Sequence, residues 1–218
     1  MAYREDGTRT IAIVSGPQKI QGGMMTKWDV LPRTFYDRDP VLVAQALLGQ
    51  QLVREHDEGL VTGIIVETEA YLAAHDPASH AYSKRWHCYR TTPRCAPMFG
   101  PPGHAYIYRS YGRHDCMNIV TEAENTPSAV LLRAVHPEAG LDVMHRRRET
   151  GRRAPLATGP GNLCQAFAID VTLNGWDLTR GHYLWVAAPT SSASLRITRS
   201  RRIGVADDLA LRFAVVSS

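Results

Sequence analysis

The spacing of apolar and polar residues along the chain predicts three helices. Asp39 and Pro40 precede an apolar stretch with helical period, and Gly49 follows it, which is the order of an N-cap, a first helical residue and a stop. Residues 138–148 form a second such stretch, and residues 159–162, Gly-Pro-Gly-Asn, open a third. Short helices are therefore expected, separated by other structure.

Apolar and β-branched runs bounded by turn residues predict strands over much of the remaining chain. The runs are residues 51–53, 59–68, 105–110, 115–120, 129–135, 182–187 and 211–216. Short turns join several neighbouring runs, which suggests an antiparallel sheet, and the order of helices and strands is mixed rather than a βαβ repeat. The expected fold class is mixed α/β (α+β).

Two segments lack helical or strand period. Residues 1–27 combine glycine, polar residues and one short apolar run, which predicts a loose N-terminal arm. Residues 28–218 are then expected to form one domain with one core. Within it, residues 75–102 accumulate Pro, Arg, His and Cys without period, and this predicts a long ordered loop of the kind that often carries function.

Composition narrows the class of protein. The chain has 218 residues and is 44% hydrophobic, but no run approaches the ~20 apolar residues of a membrane span. The first residues also lack the apolar core of a secretory signal, so a cytoplasmic protein without a membrane partner is expected. Four cysteines at irregular spacing then predict free thiols rather than a disulfide framework.

The net charge of +4 permits contact with a polyanion but favours it only weakly. Its distribution is more informative, because the arginines fall into two clusters. The first holds Arg146, Arg147, Arg148, Arg152 and Arg153, and the second holds Arg196, Arg199, Arg201 and Arg202. These clusters are either solvated loops or a phosphate-binding surface.

Glu69 lies where the apolar strand residues 64–66 give way to a loop, and Glu67 stands two residues earlier on the same face. A carboxylate at such a border can act as a base. Tyr71 points the same way if the strand continues, which places an aromatic ring beside that base. The alternative is an exposed pair of glutamates on an edge strand.

Three tyrosines fall within six residues. Tyr106 and Tyr108 share one face of a predicted strand, whereas Tyr111 breaks the alternation and precedes Gly112, so it is expected at a hairpin tip. An aromatic side chain at an exposed tip has no core to enter, and insertion between base pairs is one known use for it. Ordinary packing against the sheet is the alternative, and it suits Tyr106 better than Tyr111.

Two polar residues interrupt apolar strands. Asn118 lies among Met117, Ile119 and Val120, and Arg133 lies within the apolar run 130–135. A buried arginine is costly unless it is paired, so Arg133 lies either at a strand edge or beside a carboxylate such as Glu67 or Glu69.

A group of histidines and cysteines raises the question of a metal site. The group consists of His75, His80, His87, Cys88 and Cys95. It contains neither a close cysteine pair nor a histidine pair on an evident helix, so it departs from the usual zinc arrangements and no metal site is predicted.

These motifs, taken in order, resemble the alkyladenine (methylpurine, 3-methyladenine) DNA glycosylase family. They are residues 65–72 (IVETEAYL), His80, residues 98–100 (MFG), Pro102-Gly103, residues 106–111, 116–118 (CMN), 131–134 (LLRA), Gly159-Pro160 and 163–166 (LCQA). The similarity runs from about Leu31 to about Val216. Each motif alone is weak, but so many in the same order and spacing are specific.

The resemblance implies a role for particular residues. Glu69 would be the general base that deprotonates water, and Arg133 would support that water, while Glu67 would have no such role. A damaged base flipped out of the duplex would be enclosed by three side chains, Tyr71, His80 and Tyr108. Asn118 would screen purines by their amino group, and Tyr111 would intercalate into the gap left in the DNA.

The same resemblance implies the fold and the reaction. The fold would be a single domain with a curved antiparallel sheet, flanking helices and a protruding DNA-inserting hairpin. The reaction would be hydrolysis of the N-glycosidic bond of alkylated or deaminated purines in duplex DNA by a monomer, with neither metal nor cofactor and without strand cleavage. There are two alternatives. One is a DNA-binding protein that captures lesions with little catalysis, and the other is a metal-dependent hydrolase that uses His75, His80 and a glutamate.

The sequence departs from the family at four places. Arg113 stands beside the intercalating tyrosine, where methionine is frequent, and Asn162 stands where some members have a basic residue. Residues 83–92 form a longer segment than their counterpart, and residues 1–27 have no clear match. These differences concern the DNA footprint and lesion preference more than the chemistry.

Overall fold

The computed structural model describes residues 3–4, 6–13, 28–73, 76–149, 155–189 and 193–216. The strands are β1 Thr8–Ile13, β2 Gln51–His56, β3 Gly59–Tyr71, β4 Tyr82–Ser83, β5 Cys88–Tyr89, β6 Ala105–Ser110, β7 His114–Thr121, β8 Ser128–Ala139, β9 Leu184–Ala187, β10 Ala193–Ser200 and β11 Arg212–Val215. The α-helices are α1 Arg33–Tyr36, α2 Pro40–Leu47, α3 Leu141–Arg148 and α4 Pro160–Ala166. Short 3-10 helices span Ala96–Phe99, Val171–Leu173 and Leu178–Arg180.

Nine strands of the described chain form one antiparallel sheet, in the order β1-β10-β11-β3-β8-β7-β6. The first half of β3 also pairs with β2, which in turn pairs with β9. The remaining two strands, β4 and β5, form a separate small hairpin. The predicted mixed fold, with its antiparallel sheet and short helices, is confirmed.

Helix α2 forms as its sequence predicts and fixes the orientation of β3. The Asp39 carboxylate accepts hydrogen bonds from the backbone N–H groups of Val41 and Leu42, and the apolar face of the helix is buried. A buried valine or leucine contributes about 1.5–3 kcal/mol, so this face holds the helix on the sheet. The hydroxyl of Thr68 on β3 donates to the Ala44 carbonyl at 2.8 Å. Since side chains alternate along a strand, Glu69 points to the opposite face.

Three expectations about boundaries and irregular segments are corrected. Residues 8–13, expected in a loose arm, form β1 and pair with β10, a further strand that was not among those predicted. The helix expected over 138–148 begins at Leu141, because β8 continues to Ala139, which pairs with Thr62. The long loop 75–102 contains the β4–β5 hairpin and a 3-10 helix. The division of the chain into arm and domain stays a prediction.

All four cysteines are free, as predicted, and Cys88 is exposed whereas the other three are buried. In the described part of the chain, no helix is both long enough and apolar enough to cross a membrane.

Candidate active site

The register of the sheet brings two of the predicted site residues, Glu69 and Asn118, onto one row across four strands. Glu69 on β3 lies opposite Leu131 on β8, which lies opposite Asn118 on β7, which lies opposite Tyr106 on β6. Facing residues in an antiparallel pair have their Cβ atoms about 4.5–5.5 Å apart. Segments separated in the sequence by some 50 residues therefore meet on one face, the face turned away from α2.

Glu69 is fully buried and held at both carboxylate oxygens. Its Oε1 accepts the backbone N–H of Ile203 at 2.8 Å and lies 3.3 Å from Nη1 of Arg133. Its Oε2 accepts the hydroxyl of Tyr71 at 3.1 Å. Burial raises the pKa of Glu69, because it disfavours the charged form, while Arg133 opposes that shift. The interpretation of Glu69 as an exposed edge-strand residue is therefore excluded.

Arg133 is paired with both glutamates of the motif. Its Nε donates to Oε1 of Glu67 at 2.9 Å, and the same oxygen accepts Nε of Arg212 at 2.6 Å. The hypothesis of a buried arginine held by a carboxylate is confirmed, with Glu67 as the closer partner. Glu67 orients the guanidinium on one side, which leaves the Nη1 end directed at Glu69.

A cavity of about 570 Å³ opens above this network. Its size lies within the roughly 300–1,000 Å³ of small-molecule sites. Six of the predicted residues line it, together with Arg94, Tyr106 and Cys116 among others. The six are Tyr71, His80, Tyr108, Tyr111, Asn118 and Arg133. Glu69 lies behind this lining, in contact with Tyr71 and Arg133.

One wall of the cavity is aromatic. The ring of His80 lies 4.5 Å from the ring of Tyr108, nearly perpendicular to it, and its Nδ1 is 2.9 Å from the hydroxyl of Tyr106. His80 as a whole is exposed, but its ring contacts both tyrosine rings and Arg94 and lines the cavity. Burial and the Arg94 charge lower the pKa of His80 to about 4, so the imidazole is neutral near pH 7. Burial raises the pKa of Tyr108, which keeps this phenol protonated.

The sequence interpretation missed the support beneath Tyr71. Arg202 is fully buried, and its guanidinium carbon lies 4.5 Å from the centre of the Tyr71 ring. It donates to both carboxylate oxygens of Asp76, at 2.7 and 2.8 Å, to Asp207 at 2.6 Å and to the carbonyl of Ala70 at 2.9 Å. Because Asp76 is 126 residues away in the chain, no local pattern separates Arg202 from its exposed neighbours.

The β6–β7 hairpin places Tyr111 at its tip, as predicted. The side chain is 96% exposed and the residue has φ +48°, a left-handed conformation that is uncommon for a bulky residue. Below the tip, Arg109 and Asp115 form a bidentate ion pair at 2.9 and 3.0 Å, which ties the two strands together. Packing against the sheet is therefore excluded for this tyrosine.

Asn118 is buried at the centre of the row. Its amide nitrogen donates to the Tyr106 carbonyl at 3.1 Å, which fixes the plane of the amide at the cavity wall.

Comparison with known proteins decides the family. The sequence model of the methylpurine-DNA glycosylase family matches residues 34–218. The chain belongs to this family. The family predicted from the motifs is thereby confirmed, as are the enzyme class of DNA glycosylase and the place in DNA repair.

Three curated relatives match most of this chain, and each carries the name "Putative 3-methyladenine DNA glycosylase". The relative from Carboxydothermus hydrogenoformans is 45% identical over 186 residues, which cover 84% of this chain and 94% of that protein. The relative from Methanoculleus marisnigri is 47% identical over 193 residues, covering 86% and 96%. That from Agrobacterium fabrum is 44% identical over 190 residues, covering 86% and 90%.

Both arginine clusters of this glycosylase contain side chains that are paired with carboxylates. Arg147 pairs with Glu58 at 2.8 Å and Arg201 pairs with Asp208 at 3.0 Å, although Arg201 remains exposed. Arg202 lies neither on a solvated loop nor on a phosphate-binding surface, because its side chain is buried against Asp76. Both interpretations are wrong for this residue. Arg152 and Arg153 lie outside the described residues.

The structure also shows where three of the differences from the family pattern lie. Arg113 is exposed beside Tyr111, and Asn162 donates to the Thr158 carbonyl at 2.7 Å. The longer segment 83–92 contains the turn of the β4–β5 hairpin. Among the described residues, no three His, Cys, Asp or Glu side chains are close enough to hold a metal ion, and His75 lies outside that part of the chain.

Proposed function

We propose that this glycosylase flips alkylated or deaminated purines from duplex DNA and hydrolyses their N-glycosidic bond with a water activated by Glu69. One observation carries the proposal. A buried carboxylate of raised pKa lies directly behind an aromatic-lined cavity, held by Arg133, Tyr71 and the Ile203 N–H. Perturbed carboxylates beside a cavity of this size are frequent at catalytic centres.

In the proposed reaction Glu69 accepts a proton from water, and the water oxygen forms a bond to C1′ of the sugar. The bond from C1′ to the purine nitrogen breaks, and its electron pair leaves with the base. The sugar passes through an oxocarbenium-like state, which the nearby carboxylate stabilises. The Nη1 end of Arg133 is available to orient the water, because Glu67 holds the other side of the guanidinium.

Recognition of the base is assigned to Tyr71, His80 and Tyr108. Alkylated purines such as 3-methyladenine are cationic, and a cation is attracted to an aromatic face by ~0.5–2 kcal/mol. The low pKa of His80 matters here, since a neutral imidazole does not repel that charge. Damage also lowers the cost of flipping, because a weakly paired base leaves the stack more easily.

Selection among purines is assigned to Asn118, and capture of the flipped state to Tyr111. The fixed amide of Asn118 stands at the cavity wall, where it would meet the edge of a bound purine. The exposed ring of Tyr111 has the position of a wedge that fills the gap in the duplex. Hypoxanthine and ethenoadenine are proposed as further substrates, and a monomer is the expected working form.

Hydrolysis without strand cleavage is expected, because that second activity requires an amine nucleophile. Among the described residues that line the cavity there is no lysine, and Lys84 lies on the β4–β5 hairpin.

The deciding experiment is single-turnover base release in EDTA from duplexes carrying 3-methyladenine, ethenoadenine or hypoxanthine. Glu69→Gln should lower the rate by about 10²–10⁴-fold, the contribution of a positioned general base. Glu67→Gln makes the same chemical change two residues away and should lower the rate of base release by a smaller factor. Loss of all release in EDTA would favour the metal-dependent alternative. If wild type binds the lesion tightly but releases no base, the result would favour the capture protein.

A further inference from the structure

The β4–β5 hairpin carries an exposed tryptophan between two cations. Trp86 lies in its turn and is 56% exposed, and the guanidinium carbons of Arg85 and Arg90 lie 5.0 and 5.9 Å from its ring centre. We call residues 82–90 the basic hairpin. Exposure alone does not mark a binding site, but an open aromatic ring flanked by cations has the composition of a nucleic-acid-binding surface.

The charges of the basic hairpin are unpaired. Lys84, Arg85 and Arg90 form no ion pair with a carboxylate among the described residues. By contrast, Arg147 and Arg201, which belong to the two arginine clusters, each pair with a carboxylate. The basic hairpin therefore carries three cations that no carboxylate of the described residues neutralises.

The base of the basic hairpin is anchored to the active site. The hydroxyl of Tyr89 donates to the Leu72 carbonyl at 3.1 Å and accepts the N–H of Asp76 at 3.0 Å. Asp76 is the partner of Arg202 beneath Tyr71. The rings of Tyr82 and Tyr89 also contact each other at 5.4 Å. The base of the hairpin is thus tied to the residues that support Tyr71, and β4 begins two residues after His80.

We propose that the basic hairpin is a second DNA-binding element of this enzyme, separate from the Tyr111 tip. Lys84, Arg85 and Arg90 bind backbone phosphates beside the flipped nucleotide, and Trp86 stacks on an exposed base or sugar of the same strand. Cations that track phosphates beside an aromatic platform are the usual means of binding nucleic acid without sequence preference. This inference rests on the proposed function only in taking DNA as the ligand.

A thiol inside the hairpin allows direct detection of DNA. Cys88 is exposed whereas Cys95, Cys116 and Cys164 are buried, so a maleimide should label it first. Duplex DNA with an abasic-site analogue, which cannot be cleaved by a glycosylase, should slow that labelling and quench the fluorescence of Trp86. The Trp86 signal is the difference between wild type and Trp86→Phe.

Two variants test whether the contact contributes to binding. Trp86→Ala should weaken binding of the abasic-analogue duplex about fivefold to tenfold, as expected for loss of one stacking platform. Arg85→Ala should reduce the slope of log affinity against log salt by ~0.9, the value for one phosphate contact. The matched control is Arg38→Ala, since Arg38 is also an exposed arginine over an aromatic ring, 4.6 Å from Phe35. It should leave the slope unchanged.

The outcomes separate this inference from the proposed function. If wild type binds the duplex while Cys88 stays fully reactive and both hairpin variants bind as wild type does, the basic hairpin is not a DNA contact, and the proposed function still stands. If Cys88 is protected and the variants bind weakly, but wild type releases no damaged base, the hairpin contact stands and the proposed function fails.

Discussion

The floor of the cavity and the tip of the β6–β7 hairpin are built in opposite ways. The floor is a closed polar network in which Glu69 and Arg202 are buried and each makes several short contacts. The tip holds one tyrosine almost wholly in solvent, in a conformation that is uncommon for its type. Under the proposed function, this difference places bond cleavage and lesion capture in separate parts of the molecule, so substitutions should separate rate from affinity.

The largest effect should follow substitution of the floor carboxylate. Glu69→Gln should reduce single-turnover release by about 10²–10⁴-fold and leave the affinity for lesion DNA within about threefold of wild type. The reason is that the amide keeps the shape of the side chain but cannot take a proton from water. Affinity measured by fluorescence anisotropy checks this, and a parallel collapse of binding would contradict the division of roles.

Arg202→Met should lower the free energy of unfolding by about 3–5 kcal/mol, because it leaves Asp76 buried without its cation. Chemical denaturation provides the measurement. The control is Arg201→Met, whose side chain is 71% exposed in its pair with Asp208, and its cost should stay below about 1 kcal/mol. Equal costs at the two positions would show that the buried network adds nothing beyond a surface pair.

Tyr111→Ala should weaken binding to lesion duplexes by roughly tenfold, as for loss of one stacking contact, with little change in the rate once the DNA is saturating. Tyr183→Ala is a close match, since Tyr183 is 55% exposed and also has positive φ, at +57°. It should bind as wild type does. If both variants lose the same affinity, the tip has no special function.

The smallest effect concerns pH. Glu69 must be ionised to accept a proton, and its pKa is raised, so the rate should fall as the pH drops through that raised value. Arg133 holds the pKa down, and Arg133→Gln should therefore move the acid limb of the pH profile to higher pH. Arg212→Gln, which touches Glu67 instead, should leave the limb in place. An unmoved limb in both variants would mean that another group controls it.

Much of the fold followed from local pattern. Helix α2 needs only Asp39, Pro40 and its apolar face, and the β6–β7 hairpin needs only alternation interrupted before Gly112. Strand β1 could not be predicted in this way, because it is stabilised by pairing with β10, some 185 residues later, and no local signal reports such a partner.

Local sequence likewise indicates some residues of the candidate site and not others. Arg133 could be singled out because it is a charge inside an apolar run, an arrangement that needs a partner, and Glu69 because it follows the end of one. Arg202 was hidden among exposed arginines, because only the folded chain brings Asp76 to it. The Ile203 N–H that binds Glu69 carries no sequence signal, since every residue but proline has one.

The first strand has a consequence for how the enzyme is handled. β1 lies at one end of the sheet and ahead of the residues that match the family. It satisfies the backbone groups of β10, which would otherwise face other molecules as an open edge. Exposed edges recruit strands from neighbouring chains. A version trimmed to the family boundary should therefore keep its catalytic groups and yet precipitate sooner on concentration, a loss of shelf life rather than of chemistry.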